Sequence, residues 1–450
     1  MRNLTRSIAT LAAALALYVS LPAAPVDNAE LQELRAQIHD LETKLLQLER
    51  RQEIQNERIA VTDKGVTLAS ADAADFIKLR SIVQLDSRLF FHDGGGIANN
   101  TFLLRRARLI AEGQLARNYG FQLVTDFGGS SVSVADANFT VAVDPALQFK
   151  FGKFKSPVSL EQLQSDSWTF FNERSIVANL VPARDLGVQA SGDVFGGALS
   201  YQLGVFNGVA DGGNTTNTDF DNEKDVVARV IASPFKHTAD SPLKGLAFGV
   251  AASSGREKTA SGRTAGYKTD GQQIFFSYNA ATVADGQTWR VSPQFDYRHG
   301  AFGALGEYVV STVNVRPSAT GAKVELQNKA WQLAAGYVLT GENSSAAGIA
   351  PRADFNFAAG TWGALEVVGR YADVKVDDDA FPLFASAASS ADEAKALGLG
   401  FNWYLSKAVA FKVDYYQTKF GFAPGAPATS TTQILRQDEN AFISRFQLSF

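Results

Sequence analysis

The last ten residues of the chain alternate between two kinds of side chain. One set is almost wholly apolar and the other mostly polar, namely Phe442, Ser444, Phe446, Leu448 and Phe450 against Ile443, Arg445, Gln447 and Ser449. A strand that crosses a bilayer within a closed barrel needs this pattern, because one face meets lipid and the other meets a wet interior. The pattern therefore predicts the closing strand of a transmembrane β-barrel. A half-buried last strand of a soluble sandwich alternates in the same way and is the alternative.

The composition agrees with a barrel and excludes several classes of site. The 450 residues include 32 phenylalanines, as expected where aromatic girdles mark both membrane interfaces, and the formal charge is -4. There is no cysteine, which excludes a disulfide framework, a thiolate metal site and a cysteine nucleophile. The small acidic excess argues against nucleic acid as a partner. We expect no metal and no cofactor.

The first 24 residues have the layout of a secretory signal peptide. Arg2 and Arg6 precede an apolar stretch over residues 8–21, and the small residues Ala23 and Ala24 follow it. The apolar stretch is short for a transmembrane helix, although an N-terminal membrane anchor is the alternative. Together with a barrel, a signal peptide at 1–24 predicts export to the bacterial outer membrane.

Residues 29–60 carry a heptad pattern. The apolar positions are spaced alternately by three and four residues, at Leu31, Leu34, Ile38, Leu41, Leu45 and Leu48. This predicts a short coiled-coil helix in the periplasm, and so few heptads need partner chains held close by another interface. We therefore expect an oligomer; a single amphipathic helix lying on its own barrel is the alternative. A tether to peptidoglycan is compatible with both, and residues 61–75 are predicted to form a linker.

From residue 76 onward, apolar side chains no longer recur at helical spacing and instead alternate with polar ones. An all-β domain over residues 76–450 is predicted, a 16-stranded antiparallel transmembrane β-barrel. The predicted strands are 76–91, 102–116, 120–128, 134–143, 146–155, 184–193, 196–208, 224–235, 244–254, 287–299, 301–315, 325–340, 361–375, 394–405, 408–420 and 440–450. Residues 272–281 are a further candidate, assigned to an external loop because the strand number must be even.

Odd and even positions then assign side chains to lipid or lumen. Cations on the predicted inner face include Arg80, Arg88, Arg106, Arg108, Lys150 and Arg229, and they outnumber the inward carboxylates. A positive lumen would favour anions, and arginine offers paired donors to phosphate. The alternative is that these charges shape the electrostatic field inside the pore without binding a particular anion. Arg105 points to lipid by this count, at a cost of about 2 to 4 kcal/mol near the midplane, so it should lie at the rim, at a subunit contact or beside a bulge.

Residues 156–185 are too apolar for a loop in water. They include Leu160, Trp168, Phe170 and Phe171. This third external loop is therefore predicted to fold into the pore as a constriction, or alternatively to cap a subunit interface. The inward-folded loop would bring further positive charge to the narrowest section, from Lys153, Lys155, Arg174 and Arg184.

At these residues the sequence resembles the phosphate-selective porin O and P family. The similar segments are 102–109 (FLLRRARL), 152–157 (GKFKSP) with 159–161 (SLE), 172–175 (NERS), 182–187 (PARDLG), 339–342 (LTGE) and the final Phe450. The resemblance implies a homotrimer of 16-stranded barrels, phosphate or polyphosphate as solute, and Arg106, Lys153 and Lys155 among the ligands. Family members carry an aromatic side chain where this chain has Arg108, which implies a different preference at the central site.

Three other functions were compared with phosphate-preferring diffusion. A general diffusion porin without a solute-binding site would differ only in lacking saturation. A barrel hydrolase needs a serine and a histidine close together on one strand, and none of His39, His92, His237 and His299 is predicted at such a place. An adhesin or structural tether can coexist with a pore. The sequence therefore predicts a passive channel and not an enzyme.

Overall fold

The computed structural model describes residues 28–70, 72–91, 98–129, 131–258, 266–425 and 438–450. The predicted signal peptide and His92 lie outside these ranges. Helix α1, Asn28–Arg58, corresponds to the helix predicted at 29–60. Its apolar side chains at Leu34, Ile38, Leu41 and Leu45 are exposed. None of the described helices is long and apolar enough to span a membrane.

Sixteen antiparallel strands form the main sheet. They are β1 (Phe76–Phe91), β2 (Thr101–Leu115), β3 (Tyr119–Asp126), β4 (Ser133–Asp144), β5 (Leu147–Lys155), β6 (Arg184–Val194), β7 (Leu199–Phe206), β8 (Asp225–Ala232), β9 (Leu246–Lys258), β10 (Val283–His299), β11 (Phe302–Arg316), β12 (Val324–Val338), β13 (Ala364–Lys375), β14 (Glu393–Tyr404), β15 (Val409–Gly421) and β16 (Glu439–Ser449). The predicted number is confirmed. The strands β9 and β10 extend beyond the predicted ends at 254 and 287.

The sheet closes on itself. Strand β16 pairs with β1, with Asn440 opposite Phe91 and Ser449 opposite Ile82. The backbone amide of Phe450 then donates to the carbonyl of Ser81 at 3.1 Å, which continues the ladder to the end of the chain. Closure satisfies the backbone groups that an open edge would leave unpaired in hydrocarbon. The C-terminal alternation is therefore that of a barrel's closing strand.

The predicted linker at 61–75 contains ordered strand structure. A hairpin of Ile59–Thr62 and Gly65–Ala69 precedes the barrel, and its second arm pairs with β1, with Val66 opposite Leu79. It occupies the edge of β1 beyond the point where β16 ends. The hairpin was missed because each arm is only four or five residues long, too short to show a period.

The side chains of the barrel strands divide between the two faces as predicted. On β16 the side chains of Ile443, Arg445 and Gln447 are at most 1% exposed, whereas Phe446 is 50% exposed. On β1, Gln84 and Asp86 are buried while Leu85 and Leu89 are exposed. An apolar outer face against a polar inner face is the arrangement required of a lipid-embedded barrel.

A hydrophobic cluster fills the barrel interior beside β11–β14, toward the end that carries the external loops. External segments supply part of it, including Val177, Tyr267, Phe276 and Phe384. Residues 272–281 belong to one of these segments: they contain the short strand Ile274–Phe276, which pairs with Tyr267–Lys268 and not with the barrel.

Candidate functional site

Arg105 lies at a β-bulge in strand β2. Gln84 pairs with Arg106 and the next residue, Leu85, pairs with Leu104, so Arg105 is the extra residue between them. The bulge turns Arg105 inward as well as Arg106, and its guanidinium donates to both carboxylate oxygens of Glu173 at 2.6 and 2.9 Å. The expected bulge is confirmed, and the cost of an arginine in lipid does not arise.

Loop 3 (residues 156–183) contacts inward-facing side chains from several parts of the barrel wall. On β15, Lys412 donates to the carbonyl of Thr169 at 2.6 Å, and on β11, Glu307 accepts from the hydroxyl of Ser159 at 2.9 Å. On β1, the side-chain amide of Gln84 donates to the carbonyl of Asp166 at 3.0 Å. Loop 3 is therefore in contact with side chains on the inner face of the barrel wall.

Asp166 is the centre of one charge cluster. Four guanidinium groups surround its carboxylate, from two strands and from loop 3 itself. They belong to Arg106 at 3.4 Å, Arg174 at 2.5 Å, Arg184 at 3.9 Å and Arg108, whose contact is the shortest of the four. A single carboxylate therefore neutralises part of the positive charge that the sequence predicts for the lumen.

Glu173 is the centre of a second cluster. Its carboxylate lies 2.6 Å from Arg105, 2.9 Å from Arg88 and 3.2 Å from Arg445. Arg445 also binds both oxygens of Asp86, at 2.6 and 2.8 Å, and donates to the backbone carbonyl of Asn172. Loop 3 is thus attached to strands β1, β2 and β16 at the seam where the barrel closes.

The carboxylates of Asp166 and Glu173 stay ionised at neutral pH. Burial raises the pKa of Asp166, but the charges of Arg106 and Arg174 outweigh that effect and hold the pKa well below its ordinary value. Burial likewise opposes ionisation of Glu173, whose pKa is held well below the ordinary value chiefly by Arg105. Removing Glu173 would leave the guanidinium of Arg105 without its carboxylate partner.

A cavity of about 330 Å³ lies between loop 3 and the wall formed by β1–β7. Five cations and two carboxylates line it, an excess of three positive charges. The charged residues are Arg80, Arg108, Lys150, Lys155, Arg184, Asp136 and Asp166. We call this volume the basic cavity. Half of the ten cations singled out in the sequence therefore meet at one place.

Two lysines of the basic cavity differ from its arginines. Within the described part of the chain Lys150 has no ion-pair partner, and its ammonium lies 5.4 Å from the ring centre of Phe154. Lys155 donates to the backbone carbonyl of Gln164 at 2.6 Å, an uncharged acceptor. The arginines have nearer carboxylates: Arg80 is 3.2 Å from Glu112, and Arg184 is 3.1 Å from Asp136. Among the described residues, neither lysine ammonium therefore has a carboxylate within ion-pair distance.

The other five predicted cations lie outside the lining of the basic cavity. Arg88, Arg106 and Arg174 bind the two loop carboxylates. Lys153 donates to the carbonyl of Thr215 at 3.3 Å and to Asn217 at 2.9 Å. Arg229 donates to Gln202 on β7 and to Gln294 on β10. The contacts of these five cations support attachment of loop segments and wall side chains more directly than contact with a solute.

A second cavity, of about 430 Å³, shares the lining residue Arg80 with the basic cavity. Lys64, Lys78 and Lys407 also line it, together with Asp63, which lies 3.3 Å from Lys407. Trp168 of loop 3 and Ile349 border it. Ile349 belongs to the connection 339–363 between β12 and β13, which is long for a periplasmic turn. Both cavities therefore have cations of the inner face of β1 in their lining.

Loop 3 brings negative charge as well as positive charge to the barrel wall, whereas the sequence prediction considered only its cations. The functional residue that sequence reasoning missed is Asp166. Two adjacent arginines in a strand of twofold period were a usable signal for the bulge. Asp166 carried none, because its partners on the barrel wall are distant in sequence, with Arg108 58 residues away, and reach it only on folding.

Sixteen closed antiparallel strands, an apolar outer face and a charged interior define an outer-membrane porin. The model of the family described as phosphate-selective porin O and P matches residues 77–450. The chain belongs to this family. It is also 24% identical over 422 residues to Porin O of Pseudomonas aeruginosa. This alignment covers 86% of this chain and 92% of that protein.

Solved structures show the same fold. The anion-selective porin from Comamonas acidovorans superposes with a TM-score of 0.51 at 14% identity, covering 84% of this chain and 100% of that one. The trimer form of OmpT of Vibrio cholerae gives a TM-score of 0.51 at 11% identity, covering 84% and 99%. Family and fold indicate a channel rather than an enzyme. Among the described residues, no cluster of histidine and acidic side chains is arranged to hold a metal ion.

Proposed function

We propose that this porin passes anions by passive diffusion across the outer membrane and favours phosphate or polyphosphate. The observation that carries the proposal is the basic cavity, in which five cations exceed two carboxylates beside loop 3. Such a cavity lowers the barrier for an anion and raises it for a cation. Family membership and the likeness to Porin O support phosphate as the solute. No chemical step is needed, so the function is transport alone.

A substitution of Lys150 gives the sharpest test of solute binding, because its ammonium has no ion-pair partner among the described residues. We expect purified protein in a planar bilayer to show anion-preferring reversal potentials in a KCl gradient and block by added phosphate. In Lys150→Gln the half-blocking phosphate concentration should rise about fivefold, since losing one nearby charge at a protein surface is worth roughly 1 kcal/mol. The measurement is the single-channel current as phosphate is titrated.

Lys244→Gln is the matched control, because Lys244 lies in the short turn Pro242–Gly245 and is exposed. It should leave both the selectivity and the block unchanged. Cation preference in the unaltered protein would contradict the proposal. Conductance that rises linearly with salt, with no competition by phosphate, would instead establish the general diffusion porin without a solute-binding site.

We further propose that the protein assembles as a homotrimer with α1 in the periplasm. The exposed apolar seam at Leu34, Ile38, Leu41 and Leu45 supports this assembly, because isolated short helices are marginal without partners. The trimer form of OmpT supports it by analogy. A contact of α1 with peptidoglycan is compatible with the same exposed position.

Removing the coiled-coil segment should weaken assembly without unfolding the barrel. For a deletion of residues 30–59, or for the double variant Leu41→Lys and Leu45→Lys, we expect trimers in detergent to dissociate about tenfold faster, a change of about 1.4 kcal/mol. Glu42→Gln, on another face of α1, is the control. Gel mobility before and after heating follows both the trimer and the folded barrel. Unchanged trimer lifetime in both variants would refute this role of the seam.

A further inference from the structure

The wall of the basic cavity is not uniformly polar. Ile82, Ile110 and Val124 line it and are 4%, 6% and 5% exposed, and together with Ala135 they form a separate apolar cluster. The three side chains come from β1, β2 and β3 and face the lumen. A lumen that only shaped the electrostatic field would carry polar side chains at these positions. On loop 3, Leu163 lines the same volume from the opposite side. The cavity is therefore amphipathic.

Charged and apolar side chains alternate across these strands in register. Arg80 is opposite Ile110, and Ile110 is opposite Val124. In the next inward row Ile82 is opposite Arg108. Each isoleucine therefore has an arginine as its cross-strand partner. If an arginine bound the anionic group of a solute, the rest of that solute would lie against the aliphatic side chain.

Phe154 extends the apolar surface on the next side of the cavity. Its ring lies beside the ammonium of Lys150 and packs edge-on against Phe206, with ring centres 5.4 Å apart. The position of the ring is thus fixed by packing from behind. A solute reaching Lys150 would meet a cation and an aromatic face together.

We propose that the basic cavity selects small organic anions, each with one compact anionic head and an alkyl or aryl body, over inorganic phosphate. This rests on the proposed anion transport and names a substrate class for the same cavity. The head group contacts Lys150, Lys155 and Arg80, and the body packs on Ile82, Ile110 and Val124. Inorganic phosphate uses only the charged half of the cavity, whereas an organic phosphate monoester uses both halves.

The test compares solutes that share one head group. Methyl, butyl and phenyl phosphate, each added at pH 8 to protein in a planar bilayer, differ in the body alone. Withdrawing one methylene group from water can strengthen binding up to about fourfold. We expect the half-blocking concentration of butyl and phenyl phosphate to be at least about tenfold lower than that of methyl phosphate, which should resemble inorganic phosphate.

The double variant Ile110→Thr and Val124→Thr makes the cavity wall polar with little change in shape. It should reduce the preference for butyl over methyl phosphate to less than about threefold, while the reversal potential in KCl stays anion-preferring. Val368→Thr is the matched control, because Val368 is a buried valine of strand β13 outside the basic cavity. It should retain the full preference. The heat-induced shift in gel mobility confirms that each variant is folded.

Equal half-blocking concentrations for the three monoesters would overturn the inference while leaving anion transport intact. A preference for butyl phosphate that survives in the double variant would also overturn it, since adsorption would then lie elsewhere. Cation-preferring reversal potentials, or no block by any phosphate, would instead refute the proposed function itself, so the two failures are distinguishable.

Discussion

Asp166→Asn is expected to at least double the preference of the pore for anions. The carboxylate of Asp166 contacts four arginines and is one of two acids among the described residues that line the basic cavity. Arg106 and Arg174 have no other carboxylate within ion-pair distance among the described residues, so removing the charge of Asp166 leaves these two arginines to be neutralised by mobile anions. Chloride and phosphate should therefore occupy the cavity more strongly. The reversal potential in a KCl gradient measures the permeability ratio, and the phosphate titration measures binding.

Asp219→Asn provides the control for this change. Asp219 pairs with Lys224 at 2.5 Å in the connection between β7 and β8, outside the basic cavity. Its loss should not alter the permeability ratio. An unchanged or lower anion preference in Asp166→Asn would show that this carboxylate does not set the potential of the passage.

Arg445→Ala is expected to release loop 3 and enlarge the conductance. Arg445 is 1% exposed, binds both oxygens of Asp86 and contacts Glu173 of loop 3. Removing it leaves two buried carboxylates without this partner, a cost of about 3 to 5 kcal/mol for breaking a buried ion pair. The loop should detach from the seam, so single-channel current should rise and become noisier while the temperature of barrel unfolding falls.

Arg290→Ala separates loop release from simple loss of stability. Arg290 is similarly buried and pairs with Asp211 at 2.7 Å, a residue that lies outside loop 3. This variant should unfold at a lower temperature, yet its conductance should match that of the unaltered protein. Equal conductance changes in the two arginine variants would mean that Arg445 has no special role in holding loop 3.

The barrel could be predicted from the sequence because its constraints are local. Apolar and polar side chains alternate along each strand, because one face meets lipid and the other meets the lumen. The number of strands and the inner face of each can therefore be assigned from residue positions in the sequence. The closing strand from Glu439 to Ser449 illustrates this, since its inner and outer residues were assigned without structural information. Short arms such as Gly65–Ala69 lack enough residues for the same argument.

The candidate site could be predicted only in part, because its electrostatics depend on long-range pairing. Position along a strand places Arg108 inside, but it cannot show that Asp166, 58 residues later, neutralises it. Likewise Ile82 and Ile110 are placed inward by counting, yet their meeting with Val124 depends on the register of three strands. Sequence alone therefore overestimated the free positive charge and did not reveal the aliphatic wall.

The bulge at Arg105 also sets how many charges one strand can offer to a loop. A regular strand advances about 3.4 Å per residue and so presents an inward side chain only every second residue, at intervals of roughly 7 Å. By inserting one residue between Leu104 and Arg106, strand β2 presents two guanidinium groups within a single interval. One of them binds Glu173 and the other faces Asp166, so the strand holds two of the loop's acidic residues with no change in the spacing of its remaining side chains.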